Sequence, residues 1–267
     1  MADRQPFSEV AGKFAVVTGA ARGLGQGTAE TLAAHGVHVL AADILPAVHE
    51  TMDGIRAAHP DNRGYSQETD VSDEGAVRDL VEGAVKEFGR LDIMVNNAGT
   101  HLSEGPVADM DAEVIDRIFA VNFKGIFFGC KYASRQMREQ KGGTIVNLGS
   151  YGGKLGFPEY AAYCSSKGAV HTLTISLARE MAPYHVTVNA LCPGLAATEM
   201  HWSFMRAEAA SRDMTFDELK TEELDSIPLG RYAEGRDMAG TIMWLASGAG
   251  SYVTGQLLNL NGGLYFA

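Results

Sequence analysis

Cysteine is scarce in this chain, and no apolar stretch is long enough to cross a membrane. Only three of the 267 residues are cysteines, Cys130, Cys164 and Cys192, an odd number at wide spacing. This excludes a disulfide framework and indicates a reducing compartment, with cysteines acting as small buried side chains. Residues 1–10 are polar and lack the apolar core of a secretory leader. We therefore expect a cytoplasmic protein without a membrane partner.

Basic residues are also in deficit. Lysine and arginine number 22 against 33 acidic residues, and the formal net charge is −11. Such a chain does not attract a phosphate backbone, so we expect no nucleic-acid partner. His35 and His38 flank an apolar run without a second pair of ligands, which favours boundary residues over zinc ligands. The sequence thus predicts no metal.

Short apolar runs alternate with longer helical patterns, as in an α/β protein. The runs are continuous, which is typical of strands buried on both faces of a parallel sheet. The predicted strands are Phe14–Thr18, Val37–Ala42, Asp92–Asn96, Thr144–Gly149, Val186–Cys192 and Leu257–Leu260, with a more polar one at Gly64–Asp70. The predicted helices are Gly25–His35, Ala47–His59, Asp73–Phe88, Asp111–Arg138 and Ala161–Met181. With 46% hydrophobic residues and no linker, we expect a doubly wound parallel sheet in a single domain over residues 1–267.

Residues 195–230 interrupt this alternation. After Pro193 and Gly194 the segment has no strand signal, and it carries Met200, Trp202 and Phe204 among many acidic residues. An insertion after the carboxyl end of a strand lies where α/β folds bind ligands. We expect a helical lid over a pocket, with an ordinary surface hairpin of helices as the alternative.

The sequence T-G-A-A-R-G-L-G at residues 18–25 follows the first predicted strand and opens the first predicted helix. Glycines let the backbone approach a pyrophosphate, and the helix N-terminus favours its negative charge. The spacing G-x-x-x-G-x-G is a variant of the usual dinucleotide fingerprint. This context predicts a dinucleotide-binding loop with the contact residues Gly19, Arg22, Gly23, Leu24 and Gly25.

The ends of the next strands indicate which dinucleotide binds. Asp43 closes the second predicted strand, where a carboxylate accepts hydrogen bonds from the adenosine ribose and repels a 2′-phosphate. Arg22 is the contrary signal, since a guanidinium in the loop could meet that phosphate. We give Asp43 more weight and expect NAD, with NADP as the alternative. Asp70 and Val71 can meet the adenine, and Asn97, Ala98 and Gly99 shape the cofactor wall.

Tyr163 and Lys167 are four residues apart, and Ser150 lies thirteen residues before Tyr163. Residues four apart share one face of a helix. A phenol is a poor base at neutral pH because its ordinary pKa is about 10, but a nearby ammonium favours the phenolate and lowers that pKa. The spacing could build a proton-transfer group for neutral pH, although an exposed contact on a helix surface has the same spacing.

With these motifs in this order, the chain resembles the short-chain dehydrogenase/reductase family over nearly its whole length. The matching elements are residues 18–25, Asn96–Gly99, Asn122, Ser150, Tyr163 with Lys167, and Pro193-Gly194 with Thr198. The resemblance implies a Rossmann-type sheet and an assembly of two or four copies. We expect a homotetramer in which Asp111–Arg138 and Ala161–Met181 pair across one twofold axis. The apolar C-terminal tail would pack at another axis, or else against its own domain.

The resemblance also assigns roles to single residues. Tyr163 would be the general acid/base on the substrate oxygen, and Ser150 would hydrogen-bond the same oxygen. Lys167 would hold the nicotinamide ribose and favour the phenolate, while Asn122 would hold a water that links Lys167 to solvent. The nicotinamide carboxamide would be anchored by Pro193, Gly194, Ala196 and Thr198. Ala196 stands where the family often has isoleucine or valine, so packing against the ring is slimmer.

Three stretches look similar to the acetoin/2,3-butanediol and polyol dehydrogenases of the family: Gly156–Tyr160, Met200–Trp202 and Leu264–Ala267. The predicted pocket residues are Ser150, Gly152, Phe157, Glu159, Tyr160, Gly194, Met200 and Trp202. Glu159 could accept a hydrogen bond from a second hydroxyl, with a solvated loop carboxylate as the alternative. We expect NAD-dependent oxidation of a secondary alcohol, a vicinal diol or polyol, and the reverse reduction of the ketone.

Other functions share parts of this pattern. A reductase of acyl thioesters, or of aryl or cyclic ketones, has the same fold and reactive residues, but an acidic carrier protein requires a basic docking surface. Nucleotide-sugar epimerases share Y-x-x-x-K but usually have a longer chain with a separate sugar domain. A non-catalytic dinucleotide-binding protein would not need Ser150, Tyr163 and Lys167 together.

Overall fold

Seven parallel strands form one sheet in the order β3-β2-β1-β4-β5-β6-β7. The computed structural model describes residues 7–102 and 105–266, so that residues 1–6 and Ala267 of the predicted N-terminus and tail lie outside it. The strands are β1 Phe14–Thr18, β2 His38–Asp43, β3 Tyr65–Glu68, β4 Ile93–Asn96, β5 Gly143–Leu148, β6 Val186–Pro193 and β7 Leu257–Leu260. Strand order reverses between β1 and β4, and the loops that diverge there leave a crevice for a ligand at the carboxyl edge.

Helices cover both faces of this sheet, which confirms the predicted fold class. They are α1 Gly23–Ala34, α2 Val48–Ala58, α3 Glu74–Phe88, α4 Ala112–Phe119, α5 Ile126–Gln140, α6 Gly152–Leu155, α7 Ala161–Met181, α8 Glu199–Ser211, α9 Phe216–Ser226 and α10 Gly235–Ala246. Ala15 and Val17 of β1 pack with α1, α2 and α10, whereas Phe14 and Val16 pack with α3, α5 and α7. Successive side chains point to opposite faces, so a strand covered on both faces must be apolar throughout.

The segment predicted as one helix over Asp111–Arg138 is helical throughout, but a π turn divides it into two α-helices. α4 ends at Phe119, a π-helical turn runs over Ala120–Gly125, and α5 follows. A π turn widens the helix locally, and it contains Asn122, whose side chain is fully buried. Apolar residues keep helical spacing on both sides of the turn, so the hydrophobic pattern does not reveal it. The short helix α6 and the helix α10 also have no counterpart among the predicted helices.

Residues 195–230, called the insertion below, form the two helices α8 and α9. They share a small core of Met205, Ala209 and Leu219. His201 Nε2 lies 2.7 Å from Glu223 Oε2 and so links α8 to α9. Tyr232 Oη donates to the same carboxylate oxygen at 2.8 Å. A backbone bridge between Ala196 and Ala233 brings the two ends of the insertion together.

The three cysteines are buried thiols, as the sequence predicts. Burial raises the pKa of Cys130 to about 12 and that of Cys192 to about 11, so both stay protonated at neutral pH. Among the residues that the structure describes, no group of three or more His, Cys, Asp or Glu side chains could hold a metal ion. Within the same residues, no helix is both long and apolar enough to span a lipid bilayer.

Candidate active site

The loop at residues 18–25 forms a tight cradle between β1 and α1. Gly19 has a φ of +68°, and a Cβ placed on it would lie 2.8 Å from the Cα of Ala98. A Cβ on Gly25 would lie 2.0 Å from the carbonyl oxygen of Gly19. A side chain at either position would therefore collide with backbone. Because α1 begins at Gly23, its first amides open at the carboxyl edge of the sheet, and the cradle fits a pyrophosphate.

The end of β4 holds this cradle in place. The side chain of Asn97 donates from Nδ2 to the carbonyl oxygens of Thr18 at 2.8 Å and Gly19 at 3.1 Å. Thr18 Oγ1 accepts from the backbone N–H groups of Asn97 at 3.0 Å and Ala98 at 3.1 Å. The Asn97 side-chain nitrogen is thus committed to fixing the backbone of the loop.

Acidic side chains lie at the ends of β2 and β3, on the predicted adenosine side. Asp43 accepts the backbone N–H groups of Ala21 at Oδ2 and Leu45 at Oδ1, each at 3.0 Å. Each oxygen keeps a further lone pair for a ribose hydroxyl. Burial favours the protonated form of Asp70, but hydrogen bonds from Ser72 and the charge of Arg117 hold its pKa below the ordinary value. Arg22 is exposed, and Val71 is buried.

α7 begins and ends at the predicted residues and carries Tyr163 and Lys167 one turn apart. Lys167 Nζ lies 5.9 Å from the centroid of the Tyr163 ring and donates to the carbonyl oxygen of Leu148 at 2.8 Å. Lys167 is only 4% exposed, and this burial lowers its pKa from the ordinary 10.5 to about 8. The ammonium is therefore charged at neutral pH and close to the phenol.

Asn122 joins this helix to the loop after β4. Its Oδ1 accepts the N–H of Thr100 at 2.7 Å, and its Nδ2 donates to the carbonyl oxygen of the same residue at 2.9 Å. Nδ2 also donates to Ser166 Oγ at 3.2 Å, and that hydroxyl donates to the carbonyl oxygen of Tyr163 at 2.7 Å. A Cβ on Gly99 would lie 3.6 Å from Lys167 Nζ, so these groups meet at the end of β4.

Ser150 follows β5 and is 6% exposed. Its Oγ accepts the N–H of Gly152 at 3.0 Å, which leaves the hydroxyl hydrogen for another acceptor. Phe157 packs close by: a Cβ on Gly152 would lie 3.0 Å from its ring. The Phe157 and Tyr151 ring centroids are 5.0 Å apart. Burial raises the pKa of Tyr151 to about 12, so its phenol is neutral.

The base of the insertion adjoins the nucleotide loop. Thr198 caps α8 by accepting the N–H of His201 at Oγ1, at 3.2 Å. A Cβ on Gly23 would lie 3.1 Å from Thr198 Cγ2, so the cap and the loop are in contact. In the residues before Thr198, the carbonyl oxygen of Pro193 accepts the N–H of Tyr151, and the N–H of Gly194 donates to the carbonyl oxygen of Leu260. Ala196 is buried beside Ala233.

An aromatic cluster lies beside Tyr163: it contains the predicted pocket residue Tyr160 together with His101 and Phe204, which are not among the predicted site residues. The ring centroid of His101 lies 5.9 Å from that of Tyr163, edge-on at 71°. It lies 5.4 Å from Tyr160 and 3.7 Å from Phe204 of α8. The one sequence signal for Phe204 is its spacing four residues after Met200, which places both on one face of α8.

The remaining predicted pocket and cofactor residues lie in other environments. Trp202 packs against Phe216 of α9, with ring centroids 6.1 Å apart, and against Tyr232 just after the insertion, at 4.9 Å. Met200 is 38% exposed on α8. Glu159 is an exposed residue with a φ of +63°, an unusual conformation for a residue with a side chain and one that recurs near ligand sites. Leu24 is half-buried in the first turn of α1, against the core.

Known proteins with similar sequences and structures match nearly the whole chain. The family model described as enoyl-(acyl carrier protein) reductase matches residues 19–265. A 3-oxoacyl-[acyl-carrier-protein] reductase of Staphylococcus aureus is 36% identical over 255 residues, covering 95% of this chain and 98% of the relative. A diacetyl reductase [(S)-acetoin forming] of Staphylococcus epidermidis is 37% identical over 261 residues, with 95% and 99% covered.

A solved structure is also similar to this chain. The crystal structure of levodione reductase superposes with a TM-score of 0.89 at 30% identity and covers 95% of this chain and 97% of its own. The nucleotide cradle, the buried lysine one turn from a tyrosine, and these relatives lead to one conclusion. The chain is an oxidoreductase that belongs to the short-chain dehydrogenase/reductase family, whose members use nicotinamide dinucleotides.

Proposed function

We propose that this protein interconverts a secondary alcohol and its ketone with NAD(H), and that Tyr163 is the general acid/base. The observation that carries the proposal is the charged, buried Lys167, whose Nζ lies 5.9 Å from the Tyr163 ring at the carboxyl edge that holds the cradle. A bound nicotinamide dinucleotide supplies or accepts the hydride. The remaining chemistry is a proton transfer at the substrate oxygen.

Four residues have separate roles in that proton transfer: Tyr163, Ser150, Lys167 and Asn122. In the oxidation the phenolate of Tyr163 takes the hydroxyl proton while the hydride leaves the carbinol carbon, and Ser150 hydrogen-bonds the same oxygen. The ammonium of Lys167 stabilises the phenolate and would also hold the nicotinamide ribose. Asn122 holds the backbone of Thr100 and the hydroxyl of Ser166 beside the site and would hold a water that links Lys167 to solvent. The reduction runs through the same groups in reverse.

A Tyr163→Phe variant tests the catalytic role. We expect kcat to fall by about 10²- to 10⁴-fold, the usual contribution of a general acid/base, while the Kd for NADH stays within about twofold. Full turnover in this variant would overturn the proposal. If the wild-type protein also shows no turnover but binds NADH tightly, the result would support the non-catalytic dinucleotide-binding alternative.

The proposed choice of NAD over NADP rests on Asp43. A 2′-phosphate would lie against a carboxylate that already holds Ala21 and Leu45 in place. Asp43→Asn keeps an acceptor oxygen and removes the charge, so kcat/KM with NAD should fall about tenfold while that with NADP rises. A wild-type preference for NADP of tenfold or more would contradict this choice and would assign Arg22 to the phosphate.

The proposed substrate is small, a vicinal diol or polyol or the matching hydroxyketone. The similarity to diacetyl reductase supports it. So does the insertion, which carries eight carboxylates and three basic side chains beside the site and would repel an acidic carrier. The similarity to 3-oxoacyl-[acyl-carrier-protein] reductase and the family model favour a second candidate, an acyl thioester.

A substrate panel separates the two candidates. Butane-2,3-diol, acetoin, a hexitol, an aryl ketone and a 3-oxoacyl thioester would be compared by kcat/KM with both cofactors. We expect the diol and acetoin to lead by at least about tenfold. A thioester that leads the panel would replace the proposed substrate class while leaving the proton-transfer residues as assigned.

We further propose a cytoplasmic homotetramer, a dimer of dimers. Phe119, Phe123 and Phe127 form a stripe along α4 and α5, with ring centroids 6.5 and 6.0 Å apart. Phe127 is 44% exposed, and Phe266 near the chain end is 88% exposed. Phe119 and Phe123 are half-buried. Exposed aromatic rings such as those of Phe127 and Phe266 support burial against other copies.

A further inference from the structure

His101 occupies a fixed position beside the reacting group. The residue before it, Thr100, has both its backbone N–H and its carbonyl oxygen held by the buried side chain of Asn122, at 2.7 and 2.9 Å. Two hydrogen bonds to one peptide segment leave the next residue little freedom. The imidazole is thus placed by the same amide that reaches the backbone of Tyr163 through Ser166.

Three aromatic rings surround this imidazole. Tyr163 lies edge-on at 5.9 Å between centroids, Tyr160 at 5.4 Å and Phe204 at 3.7 Å. Tyr160 and Tyr163 belong to the start of α7, while Phe204 comes from α8 of the insertion. His101 therefore lies where α8 of the insertion meets the proposed acid/base Tyr163.

The imidazole is neutral under ordinary conditions. Burial lowers the pKa of His101 to about 4. A neutral imidazole has one N–H donor and one acceptor nitrogen, so it can meet either a hydroxyl or a carbonyl. Since it carries no charge, it does not share the role of Lys167 in stabilising the phenolate. A polar group in an otherwise aromatic wall is more suited to recognising an oxygen than to packing against a hydrocarbon chain.

We infer that His101 is a specificity-determining residue that hydrogen-bonds a second oxygen of the substrate, on the carbon next to the reacting one. The inference rests on the proposed alcohol–ketone chemistry and deepens it. It assigns the substrate class to 1,2-diols, 2-hydroxyketones and 1,2-diketones, whose two oxygens can face Tyr163 and His101 together. Phe204 and Tyr160 bound the space and limit the groups on the far carbon.

The test compares two substrates that differ by that one oxygen. Butane-2,3-diol and butan-2-ol would be oxidised with NAD by wild-type protein and by His101→Phe, which keeps the ring contacts and removes both nitrogens. We expect kcat/KM for the diol to fall by about 10- to 100-fold and that for butan-2-ol to change less than about threefold. His101→Asn, which restores a donor and an acceptor, should recover part of the preference.

Two control variants isolate the hydrogen bond. Phe204→Leu alters the wall without touching a polar atom and should change kcat/KM for both substrates by a similar factor. His59→Phe, at the end of α2, should leave both unchanged. The Kd for NADH and the melting temperature of each variant show whether the cradle and the fold are intact.

The outcomes separate this inference from the proposed function. If the wild-type protein oxidises both alcohols and His101→Phe leaves their ratio unchanged, the role of His101 is overturned while the reaction stands. An equal loss for both alcohols overturns it as well, since it would show a general role in packing. If wild-type protein turns over no alcohol or ketone, the proposed function itself fails.

Discussion

Lys167 is a charged group that the fold buries at a cost in free energy. The side chain is 4% exposed, and its pKa in the folded protein is about 8 rather than the ordinary 10.5. The unfolded chain therefore keeps this proton to a higher pH than the folded chain does. The cost is present in full below pH 8 and disappears as the pH rises to 10.5. A buried ammonium is tolerated here because the proposed reaction needs it beside Tyr163.

Replacing Lys167 by an apolar side chain should therefore stabilise the protein while removing its activity. We expect Lys167→Met to raise the free energy of unfolding by about 1–3 kcal/mol at pH 7, with the gain shrinking toward pH 10. Urea denaturation at both pH values measures this, and Lys124→Met on the exposed side of the π turn is the control. A variant that is less stable than wild type by the same amount at both pH values would show that the hydrogen bond to Leu148 outweighs burial.

The π turn over Ala120–Gly125 places one side chain, that of Asn122, against both a loop and helix α7. Asn122→Ala removes the partner of both backbone groups of Thr100 and a donor to Ser166. We expect a loss of about 2–4 kcal/mol in unfolding free energy, because buried backbone groups are left unsatisfied, together with a lower kcat. Chemical denaturation and steady-state kinetics on the same preparation measure the two effects.

Asn62 offers a matched control for this variant. Its side chain also bonds two backbone groups: it donates to the carbonyl oxygen of Val37 at 2.8 Å and accepts the N–H of Gly64 at 2.9 Å. Asn62 follows α2 in the chain and lies away from the site. Asn62→Ala should lower stability and leave kcat/KM unchanged. Equal effects of both substitutions on kcat/KM would show that Asn122 acts only through global stability.

One side chain, Glu223, links the two helices of the insertion to each other and to Tyr232. Glu223 accepts from Tyr232 at 2.8 Å and lies 2.7 Å from His201, and the side chains of Glu223 and His201 are each 15% exposed. Glu223→Ala should raise KM several-fold, because α8 and its Phe204 are less well placed, with a smaller effect on kcat. Its neighbour Glu222 pairs with Arg212 at the surface, so Glu222→Ala should change neither. Similar KM values for the two variants would contradict a role for the insertion in substrate binding.

The elements that could be predicted from sequence are those whose pattern is local. Strands β1, β2 and β4 follow from apolar runs because both faces are covered, and α7 from its long uninterrupted spacing. The π turn could not be predicted, since it changes hydrogen bonding without changing the apolar spacing. The contact between His101 and Phe204 could not be predicted either, because it joins a loop to an insertion that is distant in sequence.

At the scale of the whole molecule, the proposed tetramer depends on apolar surface that a single chain leaves exposed. Phe127 is 44% exposed and continues the stripe from Phe119 and Phe123. Tyr252 is fully exposed and belongs to no such stripe. Phe127→Asp should shift the sedimentation of the protein from four copies to fewer, because a carboxylate would be buried without a partner.

Tyr252→Asp is the control for that measurement and should sediment as the wild-type protein does. A wild-type protein that sediments only as a monomer at all concentrations would rule out the assembly. A monomer would also leave the exposure of Phe127 without an explanation, since exposed aromatic surface promotes association.

The bridge between Ala196 and Ala233 suggests how substrate preference could be engineered. The N–H of Ala233 donates to Leu195 and that of Ala197 to Ala233, each at 2.9 Å, so the chain leaves the sheet edge and returns to it at one place. Residues 199–226 between these points enclose a core of their own. When the two ends of a loop are held together, a change in its length alters the entropy cost of closing it only slightly. The two helices could thus be exchanged between relatives as a cassette, which would alter the fit of the substrate while the sheet, the cradle and the acid/base stay as they are.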